Sequence, residues 1–481
     1  MGRHLISVDE DFAVSLQPGD SVLGIASTGS LRRIPRDVDH LVDEALTAAT
    51  AAFGAMARTD DAAVTRFFDI AARLMESDEV FAPIAAANEN DVAVAASRGR
   101  STTRLLLGPG MRNDMVSAFR MWRDSDVTMS QRTTAIDHGS WTVEEWRAPL
   151  GPIGFVFEGR PNVFADATGV LRSGNVVVFR IGSDALGTAR AIMRQVIAPA
   201  LESAGLPSGA VVLLDSVDHA AGWRLFSDPR LALAVARGSG RAVAELGSIA
   251  QQSGVPASLH GTGGAWLIAG DHADARRFDR VVEHSLDRKV CNTLNVLCVV
   301  AARAQELLPV ALAAADRAAA RKGTRARVHA DARASSFMHS AGIIEVRRAE
   351  GTTIEPQITP TAAHALGHEF EWEDSPEFHV VVVDDVQEAV DLFNEHSPHF
   401  VVSIVSDDPE ENSTVWSGCD APFVGDGFTR WVDGQFALLK PELGLSNWQN
   451  GRLFGRGGVL SGDSAHSVRL RVHQSDPDLH R

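Results

Sequence analysis

The segment Lys289-Val290-Cys291-Asn292-Thr293-Leu294 places a cysteine just ahead of an apolar run, Val296–Val300. The thiolate is the reactive form of cysteine, and the adjacent Arg288 and Lys289 would lower its pKa, as would a bound cofactor. A lone cysteine on a loop that enters a second domain has the setting of a thiol nucleophile. Free cysteine is also among the most buried residue types, so a small core side chain is the alternative reading. Cys298 lies inside the apolar run and reads as core, and Cys419 stands beside Gly418 in a loop without any further signal. Gly159-Arg160-Pro161-Asn162 falls between an apolar run and a helical pattern. Proline is favourable at a helix start because its missing N–H would be unpaired there anyway. The Asn162 amide can either point its N–H2 at an oxyanion or cap the helix.

Two turns suit an anionic ligand. Arg237-Gly238-Ser239-Gly240 follows the strand pattern Leu231–Ala236 and opens a helix, where small residues admit a phosphate to backbone N–H groups. It is not G-x-G-x-x-G, and an ordinary strand–helix turn explains it equally well. Arg180-Ile181-Gly182-Ser183-Asp184 is a second such turn. Turns at the carboxyl ends of parallel strands can jointly line a nucleotide crevice. Ser183 is suited to bond a ribose 2′-phosphate, whereas Asp184 would repel it and favour NAD. His364 and His368 are one helical turn apart, but no third ligand stands out and Gly367 weakens the helix, so a solvated face is expected and no metal.

These residues need elements to hold them. Residues 37–96 and 111–124 carry helical periodicity, and 1–36 read as an extension with turns at 18–20 and 29–30. From Trp141 onward, strand patterns (141–143, 153–157, 176–179, 211–214, 231–236, 265–268) alternate with helical ones (162–171, 185–198, 220–227, 241–253). A second alternation follows, with strands at 296–300, 343–346, 379–383 and 401–405 and helices at 302–320 and 386–395, then a strand at 467–472. Strands alternating with long helices mean βαβ units and parallel sheets, so the fold class is α/β, with a second domain from about 288 to 430.

Composition removes several classes. The 481 residues carry 45 basic against 62 acidic side chains, a net charge of −17, which argues against nucleic-acid binding. There is no tyrosine, so a tyrosine general acid is excluded. The lysines are Lys289, Lys322 and Lys440, none followed by Ser or Thr, which removes a GK[ST] phosphate loop. Three cysteines without a C-x-x-C pair argue against disulfides or a cysteine zinc site and suit a reducing compartment. The acidic N-terminus and the lack of a long apolar run indicate no secretory signal and no membrane span, hence a cytoplasmic location.

Taken in order, the motifs resemble those of the gamma-glutamyl phosphate reductase (glutamate-5-semialdehyde dehydrogenase) branch of the aldehyde dehydrogenase superfamily. The resemblance rests on Pro149-Leu150-Gly151-Pro152-Ile153-Gly154 with Glu158-Gly159-Arg160-Pro161-Asn162-Val163, on Ser173-Gly174-Asn175 through Arg180 to Ser183, and on Val290-Cys291-Asn292-Thr293-Leu294. Thr429-Arg430, Asp433-Gly434 and Glu442-Leu443-Gly444-Leu445-Ser446 complete it, so that it covers roughly 40–460. It implies an aldehyde dehydrogenase-like fold of two Rossmann-like parallel-sheet domains and a small oligomerisation arm. The nicotinamide-binding domain would be 37–132 and 148–287, the catalytic domain 288–430, and the arm 133–147 with the tail 431–481. It further implies a homo-oligomer that reduces an acyl phosphate with NADP(H) or NAD(H). Cys291 would attack the acyl carbon, and the Asn162 amide with the Cys291 main-chain N–H would stabilise the oxyanion. Arg180, Gly182, Ser183, Arg237, Gly238, Ser239 and Glu373 would hold the cofactor, and Glu158, Arg160, His260, Asn292 and Arg430 the substrate.

One absence supports reduction without that resemblance. Oxidation to a free acid needs a base to activate water. Ala257 to Gly264, where hydrolytic members carry a glutamate, has no carboxylate and only His260 as a base. Departures gather elsewhere: Leu286-Asp287-Arg288-Lys289 ahead of the cysteine, Asn295, Thr262, Trp266, Phe400-Val401-Val402, and Gln435 to Lys440. They leave open a specialised paralogue that acts on another small aldehyde, acyl phosphate or thioester.

Overall fold

Pro152–Phe157, apolar at nearly every position, forms a strand buried on both faces, β1. In the computed structural model, which describes residues 8–100, 102, 104–157, 159–261, 263–339, 342–348, 351–449, 452–453, 455 and 457–480, two compact units are present. The first comprises 1–261, 438–445 and 459–481, and the second 262–437 and 446–458.

In the first unit β1 lies between two parallel neighbours, β2 (Val176–Ile181) and β4 (Leu233–Arg237). With β3 (Val211–Leu213) and β5 (Ala257–His260) the sheet order is β3-β2-β1-β4-β5. The chain steps outward from β1 to β3, then crosses to β4, so the switch point lies between the carboxyl ends of β1 and β4. Register brings Phe157 opposite both Ile181 and Arg237, and Arg237 opposite His260. The turns that follow these strands therefore leave the sheet at one level. Helices α1 (Arg36–Met56), α2 (Asp61–Glu76), α3 (Asp78–Ser97) and α4 (Pro109–Arg123) bury apolar stripes in the same core. Phe164, on the short helix α5 (Val163–Thr168), meets Phe179 of β2 edge-on with centroids 4.7 Å apart. Residues 21–34, read as part of an extension, fold as a hairpin of strands Ser21–Ile25 and Ser30–Ile34, tied by Arg32 to Glu245 at 2.9 Å.

Ser173-Gly174-Asn175 has a structural task. Gly174 takes φ +79° and ends a 3-10 turn, a conformation that favours glycine. The buried Asn175 amide accepts from the N–H groups of Leu150 (2.7 Å) and Gly151 (3.0 Å). It donates to Ser173 Oγ (2.8 Å) and to the Ala465 carbonyl (2.6 Å), and Ser173 Oγ donates to the Gly462 carbonyl (2.6 Å). The motif thus pins the returning tail to the start of β1. Beyond it, strand His466–Gln474 joins Trp141–Pro149 and Arg132–Asp137 in an antiparallel three-stranded sheet. Ile136 and Val472 both sit opposite Val143, while Leu470 and Val468 sit opposite Glu145 and Arg147, so apolar and charged side chains share that face of the sheet. Ile136, Val468, Leu470 and Val472 are exposed.

The second unit is built on a seven-stranded parallel sheet. Its strands are β6 (Ala265–Ala269), β7 (Leu294–Val300), β8 (Arg327–Ala330), β9 (Ile358–Pro360), β10 (Glu377–Val383), β11 (Val401–Val405) and β12 (Phe423–Gly425), in the order β9-β8-β10-β7-β6-β11-β12. Two sequence expectations are corrected here. Residues 265–268 do not close the first sheet but pair with β7 and β11, since a strand buried on both faces carries no periodic signal of which sheet it joins. Residues 343–346 stand outside the main sheet, in an antiparallel hairpin of Ile343–Arg348 with Gly351–Pro356. Helix Ala275–His284 was not among the expected elements, although Phe278, Val281 and Val282 stand at helical spacing on its buried face. Among the described residues no helix is long and apolar enough to cross a membrane.

Asn175→Ala would remove the side-chain partner of the Leu150 and Gly151 N–H groups and of the Ala465 carbonyl. A loss of about 2–4 kcal/mol in unfolding free energy is expected, read as a lower denaturation midpoint, while Asn90→Ala on the exposed side of α3 should change little.

Candidate functional site

In the second unit the thiol sits in a turn closed by Thr293. The Thr293 hydroxyl donates to the Arg288 carbonyl (2.7 Å) and accepts from Val290 N–H (2.9 Å), and Thr293 N–H donates to the Val290 carbonyl (3.1 Å). Gly264 N–H donates to the Cys291 carbonyl at 2.7 Å. The neighbouring Gly263 lies so close that a Cβ there would come within 2.6 Å of Cys291 Cα and O. Gly263 N–H donates in turn to the Glu369 carboxylate (2.6 Å), whose other oxygen is ion-paired with Lys289. Lys289 and Glu369 are both largely buried. One buried ion pair therefore ties the turn that carries Cys291 to the Gly263 segment packed against it.

Asn292 anchors the turn from behind. Its Nδ2 donates to the Val432 carbonyl (2.6 Å), its Oδ1 accepts from Arg430, and its carbonyl accepts from the Thr429 hydroxyl (2.7 Å). Arg430 also donates to Asp287 (2.7 Å). Both ends of the Asn292 carboxamide are thus spent on protein groups, which fits an anchor better than a substrate contact. The three cysteines form no disulfide. Burial raises the Cys298 thiol far above its ordinary pKa and pushes Cys419 up to about 12, whereas Cys291 is half-buried. Cys291 is thus the thiol within reach of solvent.

Glu373 lies in an exposed turn, with its carbonyl accepting from Lys322, and is not part of this constellation. Glu369 is, and sequence spacing does not find it because the chain from 367 to 376 ahead of β10 has no regular structure to fix which acidic side chain faces Lys289. His364 and His368 do not share a helix, since only a 3-10 turn, Ala363–Ala365, forms there.

In the first unit the expected residues gather at the carboxyl ends of β1, β2, β4 and β5; Glu158 lies outside the described residues. Arg237 reaches Glu442 (3.6 Å) and Asp166 (3.8 Å) and donates to the Glu442 carbonyl (3.2 Å). His260 shares its Nδ1 with the Leu445 carbonyl at 2.8 Å, so that nitrogen carries the proton and Nε2 is the basic one. Burial, reinforced by the charges of Arg237 and Arg160, pushes His260 down to about 4, which makes it a neutral imidazole and a weak base. Asp166 is a side chain that motif reading passes over, and Glu442, quoted in the motif Glu442 to Ser446, was given no role there. Asn162 precedes α5 but makes no capping bond, and its buried Oδ1 has no hydrogen-bond partner among the described residues. Its carboxamide is not used as a helix cap.

The turns after β2 and β4 suit a dinucleotide. Ser239 is the N-cap of the thirteen-residue helix α6 (Gly240–Gln252) and makes no side-chain capping bond, and Gly238 and Gly240 flank it. Arg180, at the end of β2, is buried; it donates to the Val217 carbonyl (3.2 Å), and its Nε has no partner among the described residues. The Arg180 Nε–H, with Asp218 nearby, and the amino end of α6 are separate donors of the kind that bind phosphate oxygens.

Residues 26–364 match the aldehyde dehydrogenase family. Gamma-glutamyl phosphate reductase from Thermotoga maritima superposes with a TM-score of 0.77 at 21% identity, covering 92% of this chain and 100% of that one. An engineered glycolyl-CoA reductase with bound NADP+ gives 0.62 at 15% identity, covering 91% and 98%. Propionaldehyde dehydrogenase from Rhodopseudomonas palustris with bound propionyl-CoA gives 0.61 at 15%, covering 90% and 94%. At these identities the likeness is one of fold.

Gly263→Ala would drive a methyl group into the Cys291 backbone, so alkylation of Cys291 by iodoacetamide is expected to slow at least about tenfold while the circular dichroism spectrum is kept. His379, buried on β10 with Nδ1 on the Thr361 hydroxyl (3.0 Å), is also pushed down to about 4, by burial and the nearby His329 and His368. Between pH 6.5 and 4 the unfolded chain binds protons at His260 and His379 that the folded chain refuses. Stability should fall with acidification over that window, and His379→Asn should flatten the urea-midpoint profile there.

Proposed function

Because this chain belongs to the aldehyde dehydrogenase family, whose members are oxidoreductases acting on aldehydes, we propose that it reduces an acyl phosphate of the gamma-glutamyl phosphate kind to the semialdehyde. Cys291 Sγ, as the thiolate, adds to the acyl carbon, the C–O bond to phosphate breaks, and phosphate departs with the electron pair. A bound nicotinamide, NADPH or NADH, supplies the hydride that reduces the resulting thioester. The tetrahedral adduct on sulfur then collapses, the aldehyde leaves, and the thiolate is restored; with phosphate present the sequence runs backwards. The Asn162 amide and the Cys291 main-chain N–H carry the negative charge on oxygen in both additions.

The observation that carries this reading is the state of the candidate bases. A hydrolytic route to the acid needs a group able to activate water against the thioester. Glu369 is held by Lys289 and the Gly263 N–H, Asp166 and Glu442 face Arg237, and His260 is too weakly basic near neutral pH. Phosphate is then the natural acyl acceptor. The exposed Phe436, Leu438 and Leu439 favour a second reading, a paralogue for another small aldehyde, acyl phosphate or thioester with an apolar acyl group. We also assign the sheet formed by 132–149 and 466–474, with its exposed Ile136, Val468, Leu470 and Val472, to a homo-oligomer contact, by analogy with the arm that the motif resemblance implies.

The test is phosphate-dependent reduction of NADP+ or NAD+ with glutamate semialdehyde, followed in absorbance. Cys291→Ala is expected to abolish it, and Asn162→Ala to lower kcat by about 10²–10³. Turnover that ignores phosphate, or that survives Cys291→Ala, would contradict the reading; turnover of a different aldehyde alone would select the second one.

A further inference from the structure

The chain has three lysines, and the first, Lys289, stands two residues ahead of the thiol, in a stretch where the sequence departs from the motifs it otherwise resembles. An unprotonated lysine is a nucleophile that attacks thioesters. The product is an amide, which does not return its acyl group to sulfur. An amine held close to the acylated thiol would make that transfer intramolecular and so fast. Each turnover would then risk stranding the acyl group on nitrogen unless a proton occupies the amine's lone pair. Lys322 and Lys440 are exposed and are held by other groups, the Glu373 carbonyl and the Asp463 carboxylate.

Lys289 is held differently. Its side chain is 6% exposed, and it is ion-paired with Glu369, whose side chain is 14% exposed. The other Glu369 oxygen accepts from Gly263 N–H (2.6 Å), and a Cβ on Gly263 would stand 2.8 Å from Cys291 Cβ. One residue therefore separates the carboxylate from the carbon that bears the thiol. The residues on both sides of Glu369 are fixed to β7. Asn295 of that strand donates from Nδ2 to the His368 carbonyl (2.9 Å) and accepts at Oδ1 from Phe370 N–H (3.2 Å). The Phe370 ring in turn stacks on His329 of β8, with centroids 4.3 Å apart. This is a firm mount for a single carboxylate. A buried ion pair is a weak source of stability, because lost hydration offsets the attraction. What it does fix is charge: a buried amine without a countercharge gives up its proton readily, and one beside a carboxylate keeps it.

We propose that Glu369 holds Lys289 as its ammonium, so that the acyl group stays on the Cys291 sulfur, and that without Glu369 the acyl group passes to Lys289 Nζ. The proposal rests on the thioester reading above and adds the residue that guards the thioester. In the transfer the C–N bond forms, the C–S bond breaks, the sulfur leaves as thiolate with the electron pair, and the nitrogen loses one proton to water. The test is peptide mass spectrometry of the full chain after incubation with acetyl phosphate and no nicotinamide, over minutes to hours. Wild type is compared with Glu369→Gln, with and without Cys291→Ala, and folding is checked by circular dichroism. Should Glu369→Gln not fold, Glu369→Ser takes its place, since a hydroxyl is still an acceptor for the Gly263 N–H. In the wild type the acetyl group is expected on Cys291, removable by hydroxylamine, with Lys289 acetylated no faster than Lys322 or Lys440. In Glu369→Gln it should appear first on Cys291 and then on Lys289, resistant to hydroxylamine, at least about tenfold faster than on Lys322 or Lys440, and Cys291→Ala should stop it. Lys289→Met with Glu369→Leu, which removes both charges, should keep a stable adduct on Cys291. An acetyl group that stays on Cys291 in folded Glu369→Gln, or acetylation of Lys289 that survives Cys291→Ala, would overturn the proposal and leave the thioester reading intact. Absence of any Cys291 adduct in the wild type would overturn both.

Discussion

The contact on which the reactive centre depends is between two stretches of backbone, Gly263 against Cys291. No side chain fits between them, and the Gly264 N–H to Cys291 carbonyl bond locks the approach. The position of the thiol follows from that contact and from the strands behind it. β6 and β7 are adjacent parallel strands that emerge from these two segments, each buried on both faces, so neither can slide without disrupting the sheet. The Lys289–Glu369 pair closes the ring on the far side. Removing one partner of such a buried pair is far more damaging than replacing both, because it strands a charge away from water.

Electrostatics then decides what the thiol is useful for. In the second unit Glu369 is matched by Lys289 and tied to the Gly263 N–H, and in the first unit Asp166 and Glu442 face Arg237 while burial holds His260 neutral. On the proposed reading, those groups offer the Cys291 thiol no strong general base among the described residues. That suits acyl transfer between a thiol and a good leaving group, where no water must be deprotonated, and it disfavours hydrolysis.

Much of this was legible in the sequence. The parallel βαβ alternation, the buried strand ahead of Asn162 and the turns after β2 and β4 follow from apolar runs punctuated by glycine. The thiol turn was recognisable because Cys291 stands alone before a continuous apolar strand. What the sequence hides are long-range pairings. Ser173-Gly174-Asn175 looks like a strand entry and is in fact the clamp for a tail nearly 300 residues on, through Asn175 and Ala465. β6 joins the second sheet instead of the first because its five buried residues satisfy either. Glu369 and Glu373 stand four residues apart in an irregular stretch, and only tertiary packing brings Glu369 to Lys289. Asn292 and Arg430 read as ligand groups, yet their polar atoms are consumed in holding the turn.

The central claim is that an acyl group passes through the sulfur of Cys291. The direct measurement is intact-protein and peptide mass spectrometry after brief mixing with an acyl phosphate in the absence of reduced nicotinamide, with released phosphate counted alongside. The account predicts a single acyl adduct, mapped to the peptide containing Cys291, labile to hydroxylamine and matched by one equivalent of phosphate. Phosphate release with no adduct, or an adduct on any other residue, would contradict it.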